Sequence, residues 1–157
     1  MNRLTFALAT LTALCCISAG PNDIAPGKPD KETIVGTWKW VSVMDQGMKM
    51  PWPEENRLVI TADLITMTYI KKEDSMGWKY TIDSSKNPKQ MDWLPEEDPG
   101  HPILNPAIYT LDGDTLKIAS AAQGKPRPTN FESKKGDFGG VWTLKREVLI
   151  AKKKPAK

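Results

Sequence analysis

Gly36-Thr37-Trp38 opens the first apolar run of the chain and Leu144-Lys145-Arg146 closes the last. Between them the sequence alternates with a period of two, the spacing that sends successive side chains to opposite faces of an extended strand. Trp38 and Trp40 share one face, then Val41 and Val43 take the opposite parity, so a bulge or bend is predicted in this first strand. Leu58 and Ile60 mark a second strand, and Ile65, Met67 and Tyr69 a third. Met76, Trp78, Tyr80 and Ile82 alternate most cleanly, against Gly77, Lys79, Thr81 and Asp83, which describes a half-buried fourth strand. After the turn residues 83–89 (DSSKNPK), Met91 and Trp93 point inward and Asp92 outward in a fifth. Residues 107–111, 115–120 and 141–146 supply the remaining three.

The Asp112-Gly113 hairpin sets its own parity. A two-residue loop there pairs Leu111 with Asp114, Tyr109 with Leu116 and Ala107 with Ile118, so every large apolar residue of the two strands except Ile108 falls on one face. A three-residue loop would split Tyr109 from Leu116. The predicted fold is therefore all-β, with eight sequential antiparallel strands, the number at which an up-and-down barrel closes around side chains or one small ligand. The alternative is a two-sheet β-sandwich, which would keep Trp38 and Arg146 apart.

A chain of 157 residues with 39% hydrophobic and 26% charged residues reads as one globular domain. The 13 prolines and 11 glycines fall mostly between apolar runs, as turns joining short strands require. The net charge of +3 depends on Arg3 and on Lys152, Lys153, Lys154 and Lys157 at the chain ends; without them the chain is mildly acidic. That argues against nucleic acid as a partner.

Residues 1–19 read as an export signal: Arg3 in the n-region, an apolar stretch from Leu4 to Ile17, and the small residues Ser18-Ala19-Gly20, with cleavage after Ala19. The stretch is short for a membrane span, so an extracytoplasmic protein, periplasmic or secreted, is expected, with no stable membrane span after cleavage. Both cysteines, Cys15 and Cys16, lie inside the leader. They fit a lipid anchor poorly, being preceded by Leu14 and Cys15 rather than by a small residue. The mature chain then has no thiol, hence no disulfide and no Cys-based site. Residues 20–33 read as a flexible linker, 34–147 as the folded domain, and 148–157 as a basic disordered tail.

Residues 105–131 (NPAIYTLDGDTLKIASAAQGKPRPTNF) resemble the signature I-Y-x-L-D-G-D-T-L followed by G-K-x-R-P-x-x-F of a small lipocalin-like, calycin-type bacterial domain family expanded in planctomycetes. GTWKWVSV (36–43), DSSKNPKQMDW (83–93) and VWTLKRE (141–147) are similar to the same family, so the resemblance spans the folded domain. It implies a barrel in which the G-x-W strand and the late Arg become neighbours, with Arg146 lying over Trp38 beside Gly36 to cover the closed end by a cation–π contact. It implies no activity, cofactor or catalytic residue. The chain departs from the pattern at Pro106-Ala107, where a Gly is usual, and at Ala119, where a Cys often stands.

Candidate chemistry outside the core is sparse. His101, the single histidine, lies in the proline-rich stretch 95–104 with no second His or Cys to chelate a metal. Asp112 and Asp114 resemble the start of a calcium loop, but Thr115, Leu116 and Lys117 supply no further ligands. Glu54-Glu55 and Glu96-Glu97-Asp98 are adjacent carboxylates that point apart. No nucleophile elbow or P-loop is present. No catalytic residue, metal or cofactor is therefore assigned.

Arg127, held between Pro126 and Pro128, presents a stiffly mounted guanidinium that either clamps a ligand anion or pairs with Asp137 or Glu132 while Phe131 plugs the barrel end. The expected function is binding. One version places a small apolar or amphipathic ligand inside, against Met67, Tyr69, Trp78, Tyr80, Trp93 and Tyr109, with Arg127 as a polar contact. The other fills the interior with those same rings and makes the protein an interaction module for an envelope protein or polymer.

Overall fold

The computed structural model describes residues 28–69, 75–94, 105–137 and 139–148. The leader, His101, the Glu96-Glu97-Asp98 run and the lysine tail lie outside the described residues. Among the described residues one short helix, α1 (Asp30–Thr33), precedes nine strands: β1 (Gly36–Asp45), β2 (Met48–Met50), β3 (Arg57–Ile60), β4 (Leu64–Thr68), β5 (Met76–Asp83), β6 (Lys89–Leu94), β7 (Asn105–Asp112), β8 (Thr115–Ser120) and β9 (Gly140–Arg146). All are antiparallel, in sequential order from β3 to β9, and β9 returns to pair with β1. Eight strands thus close an up-and-down barrel. The sandwich alternative does not apply.

The unforeseen ninth strand, β2, folds back on the last three residues of β1, pairing Met50 with Val43 and Met48 with Asp45. Its three residues are all exposed, so no alternation marks it in the sequence. The bulge predicted in β1 is present: the pairing with β9 slips between Trp40 and Ser42. Val41 is the residue turned out, at 55% exposure, while Val43 rejoins the interior.

The β7–β8 hairpin differs from the expected register. Its two-residue loop is Gly113-Asp114, so Asp112 faces Thr115, Leu111 faces Leu116 and Tyr109 faces Ile118. Glycine, at φ +52°, occupies the first loop position, where a type II′ turn needs positive φ; a loop one residue earlier would ask that of Asp112. Pairing shifted by two preserves parity, so the inward residues stay inward.

The connections sort the barrel into two ends. At the turn end β3–β4, β5–β6 and β7–β8 are joined tightly; at the loop end β1, β4, β6 and β8 finish and β3, β5, β7 and β9 begin. The turn end is sealed. Trp38, fully buried, donates its indole N–H to the Ile34 carbonyl at 2.9 Å, and Ile34 is itself fully buried. Trp38 and Arg146 are register partners, and the guanidinium carbon stands 4.2 Å from the indole centroid. Arg146 also donates to the carbonyls of Thr33 and Val35 and pairs with Asp114 at 3.2 Å. Gly36, at φ +151°, makes room: a β-carbon there would lie 2.6 Å from Arg146 Nη1.

The segment 30–33, expected to belong to the flexible linker, is folded onto this end. The Asp30 carboxylate accepts from Tyr109 Oη at 2.8 Å and from Lys89 Nζ at 2.7 Å.

Candidate functional site

The interior toward the loop end is built from tryptophans. Trp40 and Trp142 come from the two strands of the β1–β9 seam, paired there with Leu144 and Val43, and Trp93 and Trp78 come from β6 and β5. Trp52, between Pro51 and Pro53 in the β2–β3 connection, packs in beside them. Ring centroids run 4.9 Å from Trp52 to Trp40, 5.5 Å from Trp40 to Trp142, 5.2 Å from Trp142 to Trp93 and 5.2 Å from Trp93 to Trp78. These are the tilted and edge contacts aromatic pairs favour. The ladder takes five of the chain's six tryptophans; the sixth, Trp38, closes the other end.

Four residues of the predicted ligand set, Met67, Tyr69, Trp78 and Trp93, sit in or beside this ladder. Tyr69 donates its hydroxyl to the Met67 sulfur at 3.2 Å. Trp52, Tyr69, Trp78 and Trp142 are only partly buried, whereas inward residues of the turn-end half such as Leu58, Tyr109, Leu116 and Leu144 are fully buried. Met76, expected to be buried by its parity, is 52% exposed because it lies at the first position of β5, on the loop-end rim.

Of the other three, Tyr80 is the register partner of Trp93 but turns its hydroxyl away from the ladder, and Tyr109 and Arg127 lie apart from it. Tyr80 and Tyr109 direct their hydroxyls to the turn end, Tyr80 to the Thr61 carbonyl at 2.8 Å and Tyr109 to Asp30. Arg127 lies outside the barrel, bonded to the Met91 carbonyl at 3.0 Å, to the Ala107 carbonyl at 2.6 Å and to the Asp92 carboxylate. The expected partners of Arg127 were Asp137 and Glu132. Asp92 takes that place because it is the outward residue of β6 between Met91 and Trp93, within reach of the same guanidinium fork. Glu132 pairs instead with Lys134 at 2.8 Å. Phe131 does not plug the barrel. It packs outside on Ile108, Ala119 and Val141, with Lys117 Nζ 5.2 Å from its ring centroid.

The sequence reading missed Trp40, Trp52 and Trp142 as site residues. Trp40 and Trp142 were visible in principle, having the inward parity of Trp38 and Leu144. Trp52 was not, since it belongs to no alternating run.

Burial raises the Tyr109 hydroxyl pKa well above the ordinary phenol range, and the Asp30 carboxylate that accepts its hydrogen bond pushes it further the same way. Burial raises Tyr80 as well, with Asp63 adding to the shift. A group whose pKa is raised on folding lends stability that is complete below its unfolded value and is lost above it. In the unfolded chain Tyr109 ionises near pH 10 while the folded protein holds it neutral, so stability should fall by up to about 1.4 kcal/mol per pH unit above roughly pH 10. Urea midpoints across pH 8–11.5 check this. Tyr109→Phe should flatten the alkaline limb, and an unchanged limb in that variant would refute the assignment.

Two surface cavities of about 510 Å³ each lie outside the barrel. One runs between the β8–β9 outer face and residues 125–137; the other flanks α1 and Arg146. Glu54 and Glu55 are both exposed. Among the described residues no group of three or more His, Cys, Asp or Glu side chains is placed to hold a metal ion, and no helix is long and apolar enough to cross a membrane. No protein-family model, curated protein or solved structure matches this chain.

Proposed function

We propose that this chain is an exported, non-catalytic binding protein that takes a small apolar or amphipathic ligand at the loop end of its barrel. Export rests on the leader composition of residues 1–19, and the lipocalin-like resemblance belongs to the same reading. The observation that carries it is the half-buried aromatic surface at the loop end. Trp38, Leu58, Tyr109, Leu116 and Leu144 are fully buried and Ile82 and Leu111 partly buried toward the turn end, whereas at the loop end Trp78, Trp142, Tyr69 and Met76 keep exposed surface beside the buried Trp40 and Trp93. Aromatic faces left half-covered are a ready platform for an apolar body, and Met67 and Met76 are unbranched, adaptable side chains that repack around one. The packed turn-end half supports a shallow site rather than a deep one.

An environment-sensitive naphthalene dye should bind one-to-one and quench tryptophan emission. Trp78→Ala should weaken it about tenfold, roughly 1.4 kcal/mol, while still unfolding cooperatively. Tyr80→Phe should leave the dye affinity unchanged, because the hydroxyl it removes is bonded to the Thr61 carbonyl at the turn end. Weak binding that never saturates would remove this reading. The interaction-module reading would then stand, favoured by the exposed Met48 (63%) and Met50 (38%) on the edge strand β2.

A further inference from the structure

Among the described residues the buried side-chain polar atoms without a partner gather around the tryptophan ladder. At the turn end the Trp38 indole N–H and the Tyr80 and Tyr109 hydroxyls each have a partner within 2.9 Å. Among the described residues four buried side-chain polar atoms have none: the indole nitrogens of Trp40, Trp52 and Trp93, and Asn56 Oδ1. All three indoles belong to the tryptophan ladder, and Asn56 lies in the connection that brings in Trp52. Trp40 is 8% exposed, Trp93 2% and Asn56 2%.

A buried donor with no acceptor costs about 1–3 kcal/mol, and natural domains hold few of them. Three such donors on one aromatic ladder, all N–H and none charged, form a set that an oxygen acceptor relieves and a hydrocarbon does not. We propose that the ligand taken at the loop end is amphipathic: an apolar body lying against the indole faces, with a carbonyl or carboxylate oxygen that receives N–H bonds from the ladder. The half-exposed rings of Trp78 and Trp142 face the body, and the buried N–H groups of Trp40, Trp52 and Trp93 select the head. This rests on the binding role proposed above and adds to it the chemistry of the head group.

Two probes of nearly the same shape separate the ideas, 2-acetylnaphthalene and 2-ethylnaphthalene, which differ chiefly in one carbonyl oxygen. With the full chain labelled at its indole nitrogens, the acetyl probe should bind about tenfold more tightly than the more hydrophobic ethyl probe. It should also move the indole N–H resonances of Trp40, Trp52 or Trp93 downfield. The Trp38 resonance, whose N–H is already bonded to the Ile34 carbonyl, should stay still and serves as the internal control. Trp93→Phe should bring the two affinities to within about threefold of each other. If both probes bind equally and no indole resonance moves, the head-group inference is overturned while loop-end binding survives. Long-lived water bonded to these N–H groups, undisturbed by either probe, also overturns it. If neither probe binds, both the inference and the binding role fall.

Discussion

Replacing Trp38 by alanine should destabilise the protein by about 3–5 kcal/mol, as expected when a fully buried indole loses its transfer energy and leaves a cavity. Trp38 has no exposed surface, and its N–H holds the carbonyl of Ile34, the residue that ties α1 to the barrel. Arg146→Ala should cost less, because the guanidinium is partly solvated and its contact with the ring is worth about 0.5–2 kcal/mol. The double variant should deviate from the sum of the two by at least about 0.5 kcal/mol, since the groups touch at 4.2 Å. Equilibrium urea unfolding of the four proteins measures this. Strict additivity would show that the first and last strands do not meet in solution and that the barrel is open.

The next largest effect is expected at Arg127. Truncation to alanine removes the hydrogen bonds to the carbonyls of Met91 and Ala107, which are register partners in β6 and β7, and leaves the Asp92 carboxylate without its cation. Breaking a fully buried pair costs about 3–5 kcal/mol. Arg127 and Asp92 each retain 22% side-chain exposure, so water relieves part of that and about 2–3 kcal/mol is expected. Arg127→Lys should recover only a fraction, because an ammonium does not reproduce the fork that reaches all three acceptors. Dye affinity at the loop end should be unchanged in both variants. A variant that keeps its stability and loses the dye would instead make Arg127 a ligand clamp.

Pattern alone carried the eight strands of the barrel, the bulge after Trp40 and the inward parity of those strands, because period two is a property of the extended backbone and leaves its mark in each run. It did not carry β2, whose three residues are all exposed. Parity assigns a face and nothing more. It is blind to a shift of two, which is why the β7–β8 pairing differs from expectation with no inward residue misplaced. It is equally blind to position along the barrel. Met76 and Tyr80 share one face of β5, yet one stands exposed on the loop-end rim and the other is bonded into the turn end.

Contacts between segments distant in sequence were hidden for a further reason. Arg127 meets Asp92 and Asp30 meets Tyr109 across long separations in sequence, and Trp52 enters from a connection with no alternation. How a tryptophan ladder came to run toward one end, with the N–H groups of Trp40, Trp52 and Trp93 left unpaired while that of Trp38 at the other end is bonded, was decided only when the first and last strands closed. Closure places residues from β1, β5, β6, β9 and the β2–β3 connection at one depth, and depth is a quantity that a one-dimensional pattern does not encode.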